Sequence, residues 1–231
     1  MVQEGSLART HDASPGLPRG RSSLPASAVR AVQRERLLTA TVSAVAEHGY
    51  RDITVADIVR RAKVSRAAFY AHFTDKEDCF LAATEQGGNL LVDAVVAATR
   101  KLGPDASPEA MLRKGIRGYL QFLTDEPAFA RVFFVDMPAA GSGAVMQLDG
   151  ANLRFAELNQ QWHERARQLR PDWPEVPYDA YLALSGATVE LVSVRVRRGR
   201  AAEVVDLVDT VYALYMAVLA GRSWVTDDPV A

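Results

Sequence analysis

The sequence predicts an all-α protein with a small N-terminal domain of three helices and a larger helical domain behind it. From Pro25 onward, apolar residues recur at the three- and four-residue spacing of amphipathic helices. No segment shows a convincing alternation of apolar and polar residues, which is the pattern of a half-buried strand. Glycines, prolines and capping residues divide the chain at intervals that fit successive helices.

The small domain is predicted to begin after an N-terminal tail. Residues 1–27 mix glycine, proline, serine and arginine without a hydrophobic period, and we expect a disordered tail there. A helix is predicted over residues 28–48, and it ends at Gly49 because glycine adopts the left-handed cap conformation at little cost. We place the small domain at residues 28–75 and the larger domain at residues 76–231.

Two short helices complete the small domain. Thr54 is placed to cap a helix over residues 55–62, and Ser65 is placed to cap a second helix over residues 66–72. Two short helices joined by about three residues have the geometry of a helix-turn-helix, whose second helix can enter the major groove of DNA.

Six helices are predicted in the larger domain. Thr74 to Glu77 has the pattern of a capping box and opens a long helix that can continue to Leu102, with a kink or break possible at Gly87-Gly88. The other helices are predicted over residues 108–124, 127–136, 144–169, 178–196 and 202–220, with loops at 138–143 and 170–177.

The composition argues against several classes of protein. The longest apolar run, at residues 211–221, is far shorter than the roughly 20 residues of a membrane-spanning helix. The N-terminal residues lack the apolar core of a signal peptide, and Cys79 is the only cysteine, so we expect a cytoplasmic protein without an intrachain disulfide. The four histidines have no ligand-like spacing, and we predict neither a metal nor a cofactor.

Positive charge is concentrated around the predicted helix-turn-helix. Residues 30–77 carry nine lysines and arginines against six acidic residues, whereas the whole chain has a net charge of −1. This imbalance favours a polyanion as the partner of the small domain alone. An excess of this size also arises by chance, so the charge by itself leaves the partner open.

Several side chains of this segment are predicted to contact DNA. Thr54 and Ser65 begin helices, where free backbone N–H groups and the helix dipole attract phosphate. Arg66 stands at the exposed start of the second short helix, where an arginine can bond to O6 and N7 of one guanine.

Three further residues are predicted to donate to phosphates on either side of the groove, namely Tyr70, His72 and Lys76. Each has an alternative interpretation. Tyr70 could belong to the core, His72 could cap the end of its helix, and Lys76 could be a solvated charge.

The same segment resembles TetR-type (tetracycline-repressor-like) transcriptional regulators. The residues that carry the resemblance are Gly49-Tyr50, Thr54-Val55, Ile58-Val59, Ala62, Val64-Ser65, Phe69-Tyr70, His72-Phe73 and Lys76-Glu77, with Arg34 to Leu38 and Ala46 to Gly49 upstream. It covers about residues 34–80, and the run Phe-Tyr-x-His-Phe-x-x-Lys-Glu makes it specific.

The resemblance implies a homodimer in which each subunit places its recognition helix in one major groove of a near-palindromic operator. It also implies that a small molecule in the C-terminal domain usually releases the DNA. The DNA contacts carried over by position are Thr54, Ser65, Arg66, Ala67, Tyr70, His72 and Lys76.

Two departures from the family pattern affect this set. Lys63 stands where a glycine is common, so a positive φ in the turn would cost roughly 1 kcal/mol. Ala67 and Ala68 are short, so base recognition falls mainly on Arg66 and on methyl contacts to thymine.

The larger domain contains the residue types of a ligand cavity. Tyrosine and tryptophan combine apolar area with one polar group, and Asn159 and His163 lie one helical turn apart. The candidate ligand-binding residues are Tyr119, Phe122, Phe133, Met137, Phe155, Asn159, Trp162, His163 and Tyr181. An ordinary apolar core explains the same residues, and that alternative stays open.

The last two predicted helices are candidates for the dimer interface. An apolar seam with alternating spacings of four and three residues consists of Val204, Val208, Val211, Tyr215 and Val218. Ser185-Gly186-Ala187 in the preceding helix allows close approach of backbones. We predict that these helices pair with their dyad mates as a four-helix bundle, with a seam inside the monomer core as the alternative.

Together these features predict a DNA-binding regulator, a repressor that a small apolar or amphipathic ligand releases from a palindromic operator. The alternative is the same architecture controlled by a protein partner, or constitutively bound, without a small-molecule effector. We do not expect an enzyme, because the sequence offers no nucleophile elbow, no spaced carboxylate pair and no metal set.

Overall fold

The computed structural model describes residues 5–8, 25–103 and 105–222, and its regular structure there is entirely helical, which confirms the predicted fold class. The α-helices are α1 (Ala26–His48), α2 (Val55–Ala62), α3 (Arg66–Tyr70), α4 (Lys76–Arg100), α5 (Pro108–Asp125), α6 (Pro127–Arg131), α7 (Ser142–Leu169), α8 (Tyr178–Arg197) and α9 (Val208–Leu219). Shorter segments are 3₁₀ turns at Ser6–Ala8, Met137–Ala139 and Ala201–Leu207 and a π turn at Val132–Asp136.

The small domain is built from α1, α2 and α3 around a shared apolar core. Leu37 of α1, Ile58 of α2 and Phe69 of α3 are all fully buried, as is the small Ala62 at the end of α2. Lys63 ends α2 with a φ of 53°, so the strained turn considered from the sequence is present. This core fixes the position of α3 relative to the other two helices.

α4 runs without a break through Gly87 and Gly88. A Cβ atom at Gly87 would lie 2.1 Å from the Phe129 ring, so this glycine allows α4 to pack closely on α6. The break considered from the sequence is therefore absent, because close packing rather than a bend accounts for Gly87.

Two predicted helices are divided. The segment 127–136 is α-helical only to Arg131 and continues as the π turn, which accompanies the burial of Val132, Phe133 and Phe134 in succession. The predicted loop at 138–143 is correspondingly shorter, since α7 begins at Ser142. The predicted helix over 202–220 begins instead with a 3₁₀ turn, and α9 starts at Val208.

The apolar seam of the last helix lies inside the chain. Val204, Val208, Val211 and Tyr215 are at most 5% exposed, and only Val218 is substantially exposed. α9 contacts α5 and α8 of the same chain. The seam therefore belongs to the monomer core, and the prediction that it pairs with a dyad mate is wrong.

Part of the predicted tail is ordered. Ser6–Ala8 forms a turn that contacts α1 and α6, and Ala8 is fully buried. The Glu126 carboxylate accepts from the N–H groups of Ser6 at 2.7 Å and Leu7 at 2.9 Å, and from the Ser6 hydroxyl. Disorder is thus the wrong prediction for these residues, because Glu126 binds their backbone. The predicted tail residues 1–4 and 9–24 lie outside the described ranges.

The Glu126→Gln variant should lower the free energy of unfolding by about 1–3 kcal/mol, because hydrogen bonds to a buried charged acceptor are lost or weakened. Urea unfolding measures the loss. A chain lacking residues 1–8 is the control, since E126Q should cost nothing further there. An equal cost in that shortened chain would show that Glu126 stabilises something other than the turn.

Candidate functional site

Two side-chain caps set the helix-turn-helix, as the sequence predicts. The Thr54 hydroxyl accepts from the Asp57 N–H at 3.3 Å, and the Asp57 carboxylate accepts from the Thr54 N–H at 3.0 Å. The Ser65 hydroxyl accepts from the Ala68 N–H at 3.0 Å and begins α3. Thr54 and Ser65 both remain exposed at the helix starts.

α3 presents a short exposed face made of Arg66, Ala67 and Tyr70, while Phe69 points into the core. The Arg66 guanidinium carbon lies 5.7 Å from the centre of the Tyr70 ring, and one of its nitrogens is 3.4 Å from the Tyr70 hydroxyl. Tyr70 is half exposed, which excludes the core interpretation for it. Guanidinium and phenol therefore stand side by side on the helix that a major groove would receive.

His72 is placed differently from the prediction. Its Nε2 is buried and has no hydrogen-bond partner among the described residues. Burial, together with the charges of Arg34 and Arg30, lowers the pKa of His72, so the ring is mostly neutral at pH 7. In this conformation Nε2 does not reach the surface where a phosphate would lie.

Lys76 joins the first turn of α4 to the loop that precedes α2. Its Nζ donates to the carbonyl oxygens of Tyr50 at 2.9 Å and Ile53 at 3.0 Å, and it lies 4.3 Å from the centre of the Tyr50 ring. These contacts exclude a purely solvated charge. An ammonium has three donors, so one N–H is left for the predicted phosphate contact.

Two arginines that the sequence analysis did not select extend the basic surface. Arg30 and Arg34 are exposed one turn apart on α1, and both act on His72 electrostatically, which places them beside the end of α3. Arg34 also lies 5.6 Å from the centre of the Phe73 ring. Their four-residue spacing on a predicted helix was the signal that could have revealed them.

The Arg66→Ala variant should lose about 1–3 kcal/mol of affinity for a preferred DNA sequence and much less for random DNA, because a bidentate contact to guanine is lost. Fluorescence anisotropy on duplexes selected from a random library measures both losses. Arg100→Ala, at the far end of α4, is the matched control. Equal losses on selected and random DNA would contradict a base-reading role for Arg66.

Three adjoining cavities lie in the larger domain. We call them the central cavity (about 70 Å³), the upper cavity between α4 and α7 (about 270 Å³) and the lower cavity between α5 and α7 (about 280 Å³). Phe155 lines all three, so one aromatic ring stands at their junction. The central cavity shares further wall residues with each of the other two.

The predicted ligand-binding residues divide into two groups. Five line at least one cavity, and they are Tyr119, Phe133, Phe155, Asn159 and Trp162. Four line none of these cavities, and they are Phe122, Met137, His163 and Tyr181. We correct the predicted set accordingly, since apolar periodicity alone does not separate cavity walls from core.

His163 shows why one of the predicted residues lies outside the three cavities. Its ring is fully buried, with Nδ1 2.9 Å from the Tyr181 hydroxyl and Nε2 2.8 Å from the carbonyl oxygen of Leu219. It packs against the rings of both Trp162 and Trp173, which also contact each other with 5.9 Å between their centres. Because both nitrogens are engaged inside the chain, His163 joins α7 to α8 and α9 and offers nothing to a ligand.

The stability of the fold should fall as the pH drops below about 6.5, the ordinary pKa of histidine. Burial lowers the pKa of His163 in the folded chain, so the unfolded chain binds the proton first. Urea unfolding between pH 8 and pH 5 measures this loss. The His163→Phe variant should show a smaller slope and the exposed-site control His48→Gln an unchanged one. An unaltered slope in H163F would contradict the assignment.

The central cavity contains a cluster of polar side chains, of which only Asn159 was predicted from the sequence. Ser185 and Thr188 of α8 and Tyr215 of α9 line it together with Asn159. The sequence analysis assigned Ser185 to helix packing and Tyr215 to an apolar seam. The signal for this cluster in the sequence was that polar residues recur within the apolar faces of these helices.

The two domains meet at the turn after α1. The Tyr50 ring lies 4.6 Å from the Phe80 ring of α4, and the Tyr50 N–H lies near the carboxyl group of Asp136 at the end of the π turn. Asp136 Oδ2 is buried without a hydrogen bond, 3.9 Å from Nε of Arg131. Burial raises the pKa of Asp136, against the opposing effects of Arg131 and the Tyr50 N–H.

Two kinds of feature are absent from the described ranges. No helix there is both long and apolar enough to cross a membrane. No three histidine, cysteine, aspartate or glutamate side chains gather there as metal ligands would.

Comparison with known proteins gives a family match in the small domain. Residues 37–83 match the model of bacterial regulatory proteins of the tetR family. The HTH-type transcriptional regulator BetI of Cronobacter sakazakii is 35% identical over 95 residues, which are 41% of this chain and 46% of that protein. BetI of Escherichia coli is 33% identical over 95 residues, which are 41% of this chain and 48% of that protein. The chain thus matches these curated relatives over about half of their length.

Solved structures match over most of the chain. A TetR-like transcriptional regulator from Rhodococcus sp. RHA1 has a TM-score of 0.64 and 26% identity, covering 86% of this chain and 100% of that one. The fatty acid degradation regulator FadR from Bacillus halodurans has a TM-score of 0.70 and 18% identity, covering 82% and 99%. FadR from Bacillus subtilis, solved with stearoyl-CoA, has a TM-score of 0.67 and 16% identity, covering 81% and 98%. At these identities the two FadR structures show the fold alone.

Proposed function

We propose that this chain, whose residues 37–83 match the model of bacterial regulatory proteins of the tetR family, is a TetR-type repressor that binds a near-palindromic operator as a homodimer. We further propose that a small apolar or amphipathic molecule in the larger domain releases the DNA. The observation that carries the DNA-binding role is the exposed α3 face, where Arg66 and Tyr70 stand beside the capped helix start at Ser65. Arg30, Arg34 and Lys76 would hold the flanking phosphates.

Because the apolar seam is buried in the monomer, the proposed dimer interface is instead the exposed face of α8 and α9. On α8, Ala183 and Gly186 are exposed, and a Cβ atom at Gly186 would meet nothing within 4 Å. On α9, Val218 is 37% exposed and Ala217 beside it is partly exposed. Small side chains on both helices allow the backbones of a second copy to approach closely.

The cavities favour a small-molecule effector over control by a protein partner. Two of them have volumes of about 270 and 280 Å³, and their walls are mostly apolar. The Bacillus subtilis FadR, which shares this fold, was solved with stearoyl-CoA, an amphipathic molecule. We propose that the effector here is likewise largely apolar and carries a polar group.

The proposed release uses α4. The helix lines all three cavities, through residues such as Val92 and Val95, and its first residue, Lys76, bonds to the loop beside Tyr50. A ligand that separates α4 from α7 would therefore displace the small domain. In a dimer this changes the spacing of the two α3 helices, which must match about one turn of DNA.

The Gly186→Arg variant should be monomeric and should bind a two-half-site duplex at least about tenfold more weakly, because the second half-site contact is lost. Sedimentation of the free protein and anisotropy on selected duplexes measure both effects. Leu153→Arg, on the exposed side of α7, is the control. A wild-type chain that shows no preference among duplexes would refute the proposed function, and a dimeric G186R would refute this interface.

A further inference from the structure

The wall of the central cavity is polar without being charged. Asn159 Nδ2 donates to Ser185 Oγ at 3.3 Å and to Tyr215 Oη at 3.2 Å, and Thr188 Oγ1 lies 3.5 Å from the same Tyr215 oxygen. Ser185, Thr188 and Tyr215 are at most 8% exposed. These bonds are long for their type, so the cluster is loosely satisfied by its own members.

Tyr119 completes this wall from α5. Within the described ranges its hydroxyl makes no hydrogen bond, although it lines both the central and the upper cavity. Its ring packs edge-on against Phe155, with 5.2 Å between the centres. Burial raises the pKa of Tyr119, so the group keeps its proton and remains a donor at neutral pH.

The two larger cavities extend from opposite sides of this cluster. The central cavity shares Tyr119 and Asn152 with the upper cavity, and it shares Ile116 and Asn159 with the lower cavity. The upper and lower cavities have only Phe155 in common. A molecule that filled both would therefore pass the polar cluster at its middle.

Charged side chains are confined to the outer parts of the cavities. Glu85 and Arg154 in the upper cavity and Arg165 in the lower cavity are all exposed, and Arg154 donates to Asn89 at 2.8 Å. Among the described residues, none that lines the central cavity is charged. A carboxylate or ammonium group placed there would lose its hydration without gaining a counter-charge, which is strongly unfavourable.

We infer that the effector is an uncharged molecule that carries a hydrogen-bond acceptor, such as a ketone or ester carbonyl, between two apolar arms. Its oxygen accepts from the Tyr119 hydroxyl and from the Asn159 amide, which gives up one of its two long bonds to Ser185 and Tyr215, and its arms occupy the upper and lower cavities. Phe155 turns aside to let the molecule pass. The inference rests on the effector site of the proposed function and specifies the chemistry that this site selects.

The test compares three probes of eleven carbons, namely 6-undecanone, undecanoate and undecylammonium, by isothermal titration calorimetry on the full chain at pH 7.5. The ketone should bind at least about tenfold more tightly than either ion. An ion that brings its charge to the cluster is buried without a counter-charge, and an ion that keeps its charge at an exposed outer end places methylene groups against Tyr119 and Asn159. Tighter binding of either ion, or no binding of the ketone, would overturn the inference.

The Tyr119→Phe variant tests the proposed donor. It should weaken ketone binding by about three- to tenfold, the usual effect of one lost hydrogen bond. Tyr212→Phe, outside the three cavities on α9, is the matched control and should bind as the wild type does. Equal affinities in Y119F and Y212F would contradict the role of Tyr119.

The Asn159→Asp variant should raise the affinity for one probe, which misfolding of the variant would not do. A carboxylate at this position supplies a counter-charge, so undecylammonium should bind more tightly than it binds to the wild type. An unchanged affinity for undecylammonium would place the polar cluster outside the binding site.

The same probes separate this inference from the proposed function. Binding of the ketone without any effect on the protein–DNA complex would leave the ligand chemistry intact and refute ligand-induced release. Release of DNA by undecanoate in preference to the ketone would support a ligand-responsive regulator and refute the uncharged class.

Discussion

The placement of α3 depends on how Tyr50 is held between the two domains. Its carbonyl oxygen accepts from Lys76, its ring packs against Phe80, and its backbone N–H lies near the carboxyl group of Asp136. The contacts with Lys76 and Phe80 come from α4, and the contact with Asp136 comes from the π turn. Two separate elements of the larger domain therefore position one residue of the small domain. Because α1, α2 and α3 share one core, a shift at this residue is carried to α3 as a rigid movement.

The same constraint explains why α4 is continuous. It spans 25 residues, begins at the domain junction and lines all three cavities farther along. Gly87 lets the helix pass close to Phe129 without bending away. A straight helix can transmit a displacement at the cavities to Lys76, whereas a broken one would absorb it.

The sequence predicted local features well, because their causes are local. Thr54 and Ser65 begin their helices since each side chain bonds to a backbone N–H three residues on. The same reasoning was insufficient for Lys76 and His72, whose surroundings come from the distant residues Tyr50 and Arg34. Ser6–Ala8 was mistaken for tail because its only strong partner, Glu126, lies 120 residues away.

The amino-acid sequence by itself determined the helical class, the caps of the helix-turn-helix and the exposed start of α3 at Arg66, since each depends on neighbours within about one helical turn. Only the tertiary structure decided which apolar faces meet. An apolar stripe such as that of Val204 and Tyr215 has the same periodicity whether it faces its own chain or a second one. For the same reason, only the fold distinguishes the role of His163 from that of Tyr119. Both ring nitrogens of His163 are bonded within the core, whereas the Tyr119 hydroxyl makes no hydrogen bond among the described residues.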